Sequence, residues 1–272
     1  MKLSLAVSLQ STRFDAVAYG GEGFDHLRPI ARLGYDGVEL AVRDPARVDV
    51  EALLAALRRD GLAVPAIGTG QAWNDERLSF TAAEAGVRAA ALQRFGQHLV
   101  LASRLKAVAI VGLIRGVTQP GVGRSQAMAW LVDALRECAA AARPLGVDLV
   151  VEPINRYETD LVNTVDEALR LLEQVQADNI GLLPDTFHMN IEEPSIEASL
   201  RRAGRHIRHF HVADSNRRHP GAGHLDFGRI LATLQSEAGY QGWVSAEMLP
   251  EPDIQQAAER ALRHLRACLP QA

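Results

Sequence analysis

The chain has 272 residues, 47% apolar and 23% charged, the composition of an ordinary globular protein with ample core material. Its net charge is −4 (pI about 6.1), and Lys and Arg are scattered, which argues against a nucleic-acid surface. Cys138 and Cys268 are the only cysteines, both in Ala-rich helical patterns, so they read as reduced core thiols of a cytoplasmic protein.

The opening MKLSLAVSLQSTRF carries one Lys and a short apolar run. A secretory signal needs a longer apolar region and a small-residue cleavage site, so a first buried strand is expected at 3–9 instead. Further apolar runs follow at 37–42 (GVELAV), 63–70 (AVPAIGTG), 107–114 (AVAIVGLI) and 148–154 (DLVVEPI). The last three are 180–187 (IGLLPDTF), 207–214 (IRHFHVAD) and 243–249 (WVSAEML). Between them, segments such as VEALLAALRRDG, QAMAWLVDALRECAAAA and VDEALRLLEQV place apolar residues at three- and four-residue spacing, the helical period. None approaches the roughly 18 apolar residues of a membrane span.

Near-continuous apolar strands indicate a parallel sheet covered by helices on its outer face. Eight strand–helix units predict an α/β fold, a (β/α)8 TIM barrel occupying residues 1–272 as one domain. A doubly wound open sheet is the alternative, disfavoured by the lack of a Gly-rich phosphate fingerprint. The Pro-rich LPEP (249–252) reads as a loop rather than a linker.

Barrels of this kind build their sites at the C-terminal strand ends. Those ends offer Glu152 on strand five, Asp185 on six, His211 on seven and Glu247 on eight, at intervals of 33, 26 and 36 residues. A buried strand-end carboxylate needs a cation or a partner. A single one reads as a helix cap or a surface charge; four on consecutive strands read as a metal site. Three carboxylates and one imidazole favour Mn2+, with Mg2+ or Co2+ also suited, over a thiolate-bound structural zinc. His188 follows Asp185 on the same lip and is placed for substrate rather than metal.

At these residues the sequence resembles the sugar isomerase/epimerase barrels, xylose isomerase-like in fold, typified by D-tagatose and D-psicose 3-epimerases. The matching pieces are VEPINRYETDLVNT (151–164), DTFHMNIEE (185–193), HFHVADSNRRHPGAGHLDF (209–227) and AEM (246–248). The resemblance implies that Glu152 and Glu247 are ligands that also act as acid and base, that Asp185 and His211 complete the metal shell, and that Glu158, His188 and Arg217 hold the substrate. In the first half, ELAVRDP (39–45), AIGTGQAW (66–73) and VGLIRG (111–116) are similar to the epimerases that interconvert 5-keto-L-gluconate and D-tagaturonate. Trp73 departs from that pattern, where a Tyr is expected, and so does Pro184 before Asp185.

The implied reaction inverts the carbon beside the ketone of a keto-sugar acid, by deprotonation and reprotonation through a metal-stabilised cis-enediolate. Strands five and eight are separated by two others, so Glu152 and Glu247 can face each other across the metal. Arg115 should emerge at the rim after strand four, where its planar fork suits a substrate carboxylate; pairing with a nearby acid or pointing to solvent are equally open. Glu158 reads as a hydrogen-bond partner of Glu152 or of a substrate hydroxyl, or as a loop charge, and Arg217 as an oxyanion partner or a solvated loop charge. Trp73 and YGGEG (19–23) lie on loops that cover the site or simply pack. His209 shares inward parity with His211 and reads as a hydrogen-bonded core histidine, His224 as structural, and Asp226 as a helix N-cap.

Alternatives are 3-epimerisation or aldose–ketose isomerisation of free or phosphorylated sugars, an apurinic-type endonuclease, and a non-catalytic sugar-binding protein. The endonuclease would draw His ligands from strands three and four, where AIGTG and IVGLIRG have none. The expected partner is a small sugar or sugar acid, without nucleic acid or membrane, and the resemblance implies a homodimer or homotetramer.

Overall fold

A computed structural model describes residues 1–17 and 24–269. Eight strands run in chain order: β1 (Lys2–Ser8), β2 (Gly37–Ala41), β3 (Ala66–Gly68), β4 (Val108–Val111), β5 (Leu149–Val151), β6 (Ile180–Leu182), β7 (Phe210–Val212) and β8 (Trp243–Ala246). They pair in parallel in the order β6-β5-β4-β3-β2-β1-β8-β7, so each strand neighbours its sequence neighbours and β1 closes onto β8. Among the described residues ten α-helices accompany them: α1 (Leu27–Leu33), α2 (Val50–Asp60), α3 (Gly70–Glu76), α4 (Ala85–Leu105) and α5 (Arg124–Ala142), then α6 (Val165–Val175), α7 (Thr186–Glu192), α8 (Ile196–Ala203), α9 (Phe227–Ser236) and α10 (Ile254–Cys268). The eight expected strands are all present, several trimmed to three residues, and the fold is a (β/α)8 barrel. Among the described residues, no helix is long and apolar enough to cross a membrane.

The ring closes between β6 and β7 through isolated parallel bridges, Leu182 with Ile207 and Asp185 with His211, rather than a ladder. Pro184 accounts for the irregularity. It has no N–H to donate, but its carbonyl accepts from the His211 N–H at 3.0 Å. The seam of the barrel therefore falls between two of the expected ligands and fixes one against the other.

Strand alternation sorts the side chains. Leu3, Leu5, Val7, Val38, Leu40, Ile67, Ala109, Val111, Leu149, Val151, Ile180 and Leu182 belong to the main core shared with the helices. A second, smaller apolar cluster fills part of the barrel interior: Ala66, Ile110, Val150 and Leu183. Helix starts are set locally, since Asp49, Thr164, Ser195, Asp226 and Asp253 each accept a backbone N–H at the head of α2, α6, α8, α9 and α10. The expected cap role of Asp226 is thus observed. Cys138 is buried as expected, but Cys268, near the end of α10, is only half-buried and lies 3.6 Å from His264 Nε2.

Candidate active site at the C-terminal ends of β5 to β8

Two residues past the inward-facing position of each of these strands, the barrel presents a layer of side chains to an open cleft. On β2, β3 and just past β4 that layer is Ala41, Gly68 and Gly112; from β5 onward it is Glu152, Asp185, His211 and Glu247. Small residues on one side make room for what the other side holds. A Cβ on Gly112 would stand 3.0 Å from Glu152 Oε2, so a side chain there would crowd the carboxylate. The cleft takes in about 510 Å³ of space, part of it open to solvent.

The four expected ligands converge. One donor atom from each of Glu152, Asp185, His211 and Glu247 lies within 4.8 Å of the others. From His211 Nδ1 the distances are 3.6 Å to Glu152 Oε1, 3.7 Å to Asp185 Oδ2 and 3.9 Å to Glu247 Oε2. These are too long for hydrogen bonds. His211 Nδ1 and Glu152 Oε1 are buried with no hydrogen-bond partner in the protein. An imidazole nitrogen and a carboxylate oxygen, both buried without a partner and both able to offer a lone pair to one point among the carboxylates, fit a hard divalent cation.

Asp185 serves two purposes with its two oxygens. Oδ1 caps α7, accepting from the N–H groups of Phe187 (2.6 Å) and His188 (3.2 Å), while Oδ2 faces the cluster. Helix cap and metal ligand are therefore not competing descriptions of this residue.

The side chains by themselves push the two glutamates apart. Burial would raise the Glu152 carboxyl, but His211, His188 and Arg115 outweigh it and hold it below the ordinary carboxylate range. Glu247 is raised well above that range by burial, reinforced by Glu152 and only partly relieved by His211. Burial opposes charge on His211, yet Glu39, Glu152 and Glu247 raise its affinity for a proton well above that of a free imidazole. Crowded carboxylates of this kind are what a bound cation relieves.

A second set of polar groups lines the cleft beside the cluster. Arg217 Nη1 donates to Glu158 Oε1 (2.7 Å), which also accepts from Asn155 Nδ2 (2.9 Å). Asn155 Nδ2 also lies 2.7 Å from His188 Nδ1. If Asn155 donates there, the remaining proton of a neutral His188 sits on Nε2, 3.8 Å from Glu152 Oε1. Arg217 stacks over Phe187 and Phe14, with 4.9 and 5.5 Å to the ring centroids, and Burial works against its charge, but Glu158, Glu247, Asp185 and Glu152 more than compensate. It adopts φ +61°, left-handed for a non-glycine residue. The loop around it is organised by buried Asp214, which accepts from the N–H groups of Ser215, Gly221 and Leu225. A Cβ on Gly223 would come within 2.2 Å of the Asp214 carboxylate, which accounts for glycine in PGAG.

Several expectations are corrected. Glu158 does not bond Glu152; its partners are Asn155 and Arg217. Arg115 does not emerge at the rim. It lies in a 3-10 turn after β4, fully buried, its guanidinium donating to the Glu152 carbonyl and absent from the cleft lining. Burial lowers its pKa to about 10. Trp73 is on α3 rather than a loop, half-buried in an outer vestibule with Arg13, Arg77, Glu158 and Arg217. YGGEG (19–23) lies outside the described residues. His224 is structural, its Nδ1 2.9 Å from Ser215 Oγ.

Three residues of the site had no expectation attached. Glu39, on β2, is 2% exposed, and its Oε2 lies 2.7 Å from His209 Nε2 and 2.9 Å from His211 Nε2. The available signal was a carboxylate inside the apolar run GVELAV. Asn155 and Gln71 were the others. Gln71, 1% exposed, donates from Nε2 to Ser8 Oγ (2.7 Å), and its Oε1 has no partner in the protein.

The model of the xylose isomerase-like TIM barrel family matches residues 27–268. A D-psicose 3-epimerase of Agrobacterium fabrum is 31% identical over 227 residues, 82% of this chain and 78% of the relative. An L-ribulose 3-epimerase of Mesorhizobium japonicum is 32% identical over 219 residues, 79% and 71% of the two chains. The crystal structure of a D-allulose 3-epimerase from Methylomonas sp. superposes with a TM-score of 0.84 at 25% identity, covering 99% of this chain and 98% of that one. With a family model spanning nearly the whole chain and epimerases as its relatives, the protein belongs to the xylose isomerase-like TIM barrel family and is a carbohydrate epimerase of the isomerase class.

Proposed function

We propose that the protein is a divalent-metal-dependent epimerase that inverts the carbon next to the ketone of a keto-sugar acid, interconverting 5-keto-L-gluconate and D-tagaturonate. The observation that carries the metal-dependent part is the convergence of Glu152, Asp185, His211 and Glu247 with two buried donor atoms left unpartnered. Mn2+ is the proposed ion, with Mg2+ and Co2+ compatible with the same oxygen-rich set. When bound, it supplies Lewis acidity to the substrate carbonyl and the neighbouring hydroxyl.

The residues of this chain do the rest. Glu152 and Glu247 come from strand ends separated by β6 and β7 around the rim, so one takes the proton from one face of the carbon and the other returns one to the opposite face. His188 Nε2 and Arg217 lie beside them and orient the substrate oxygens. The unpaired Gln71 Oε1 is an acceptor for a sugar hydroxyl. Because Arg115 sits behind Glu152, the substrate carboxylate is assigned to the vestibule bearing Arg13, Arg77 and Trp73. A second reading, 3-epimerisation of a neutral ketose, is favoured by the D-psicose and L-ribulose epimerases among the relatives.

A panel of keto-sugars and keto-sugar acids turned over in D2O and followed by NMR tests both levels. Deuterium should enter at the inverted carbon, chelation should abolish turnover, and Mn2+ should restore it. Glu152→Gln and Glu247→Gln should each lower turnover by about 10²- to 10⁴-fold. Full activity in metal-free protein, or product without deuterium, would end the mechanism. A preference for D-psicose or D-tagatose over the two acids would leave the mechanism standing and transfer the assignment to the second reading.

A further inference from the structure

We infer that Glu39 is a positioning residue for the metal centre: it keeps the proton of both barrel imidazoles on Nε2 and so leaves His211 Nδ1 as the ligand atom. The inference rests on the metal-site reading above. Glu39 lies at the middle of β2, while His209 and His211 come from the β7 segment, on the far side of β1 and β8 in the sheet. Its Oε2 is within hydrogen-bond distance of both rings, 2.7 Å from His209 Nε2 and 2.9 Å from His211 Nε2. All three side chains are almost wholly buried, and the two rings meet edge to face with centroids 5.3 Å apart.

An ionised carboxylate only accepts, so each Nε2 it meets must carry a proton. A neutral imidazole has one proton, and His211 Nδ1 is then a bare lone pair. That nitrogen is the one buried without a partner and facing Glu152, Asp185 and Glu247. Carboxylates behind a ligating imidazole fix its tautomer and ring angle in this way in many metal sites. Glu39 never touches the ion; it acts through His211.

The same three residues could themselves be taken for a second metal site, because their donor atoms lie close together. The separations decide against it. Two ligands held about 2.1 Å from one ion stand roughly 3.0 Å apart in an octahedral shell and about 3.4 Å apart in a tetrahedral one, whereas 2.7 and 2.9 Å are both shorter and are hydrogen-bond lengths.

Glu39→Gln keeps the shape and removes the charge. Its Mn2+ dissociation constant, measured by competition with a chelator, should rise about 10- to 100-fold, while the metal-free melting temperature stays close to that of the wild type. An unchanged constant would overturn the inference and leave the proposed function intact. The wild-type protein provides a second measurement that requires no variant to fold. With 15N-labelled histidine and 113Cd2+, the cadmium should couple to His211 Nδ1, and both barrel rings should show a proton on Nε2. Cadmium on Nε2, or two tightly bound ions per chain, would refute it. A wild-type protein that binds no divalent ion would sink this inference and the metal-dependent function together.

Discussion

Between β3 and β6 the inside of the barrel is filled by Ala66, Ile110, Val150 and Leu183, whereas from β7 round to β2 the inward positions are His209, Ser245, Ser4 and Glu39. The two walls support the same rim by different physics. On the apolar wall each side chain gains from burial alone and depends on no particular partner. On the polar wall the Glu39 carboxylate and the two histidine rings depend on one another, through Glu39–His209 and Glu39–His211 contacts that join residues 170 and 172 positions apart. Ligands stand above both walls, Glu152 and Asp185 over the apolar one and His211 and Glu247 over the polar one. In the proposed metal centre, packing on one side sets the size of the site and hydrogen bonding on the other sets which imidazole nitrogen faces the ion.

The largest expected effect on stability tests the apolar wall. Ile110→Ala should lower the free energy of unfolding by about 2–5 kcal/mol, as for other large-to-small core changes, and leave Mn2+ affinity unchanged. Denaturant unfolding and metal titration on the same sample check this. A variant that keeps its stability but loses metal affinity would show that the two walls do not divide the labour as described.

Outside the barrel, a buried histidine braces the end of β2, the strand that carries Glu39. His98 on α4 has Nε2 2.7 Å from the Val42 carbonyl and Nδ1 2.9 Å from the Arg94 carbonyl. Burial lowers its pKa to about 4 even though both carbonyls favour the protonated ring. The unfolded chain takes up this proton near pH 6.5 and the folded one only near pH 4. Stability is therefore fully present above pH 6.5 and is lost as pH falls through that window, by about 3 kcal/mol. In His98→Gln the loss disappears, so its stability relative to wild type should improve by that amount between pH 7 and pH 4. Parallel pH profiles for the two proteins would remove the argument.

The smallest effect concerns the polar wall itself. Ser4 and Ser245 face each other in register across β1 and β8, and neither hydroxyl has a partner in the protein. Replacing both by Ala removes two unpaired buried hydroxyls and should be neutral or stabilise the fold by about 1 kcal/mol. A clear drop in melting temperature would mean that these hydroxyls are hydrogen-bonded in solution, and that the polar wall is satisfied throughout.

The sequence by itself determined the eight-fold alternation, because burial on both faces leaves near-continuous apolar strands and helix packing leaves a three- and four-residue period. It also determined that Glu152, Asp185, His211 and Glu247 reach one rim, since each ends an apolar run and the runs recur at one strand–helix interval. Those are local signals. What only the tertiary structure decided are the partners. Arg115 follows an apolar strand as the ligands do, yet a 3-10 turn carries it behind Glu152, where its guanidinium meets a carbonyl instead of the cleft. Glu39 looked like one acid in an apolar strand, and it acquired a role only when barrel closure brought β7 across from β2. Pro184 read as a departure from a pattern, and in the fold its carbonyl joins the seam that sets Asp185 against His211. Local burial is written in residue type and period, whereas hydrogen-bond partners are chosen by which strands the ring makes neighbours, and no stretch of chain records that on its own.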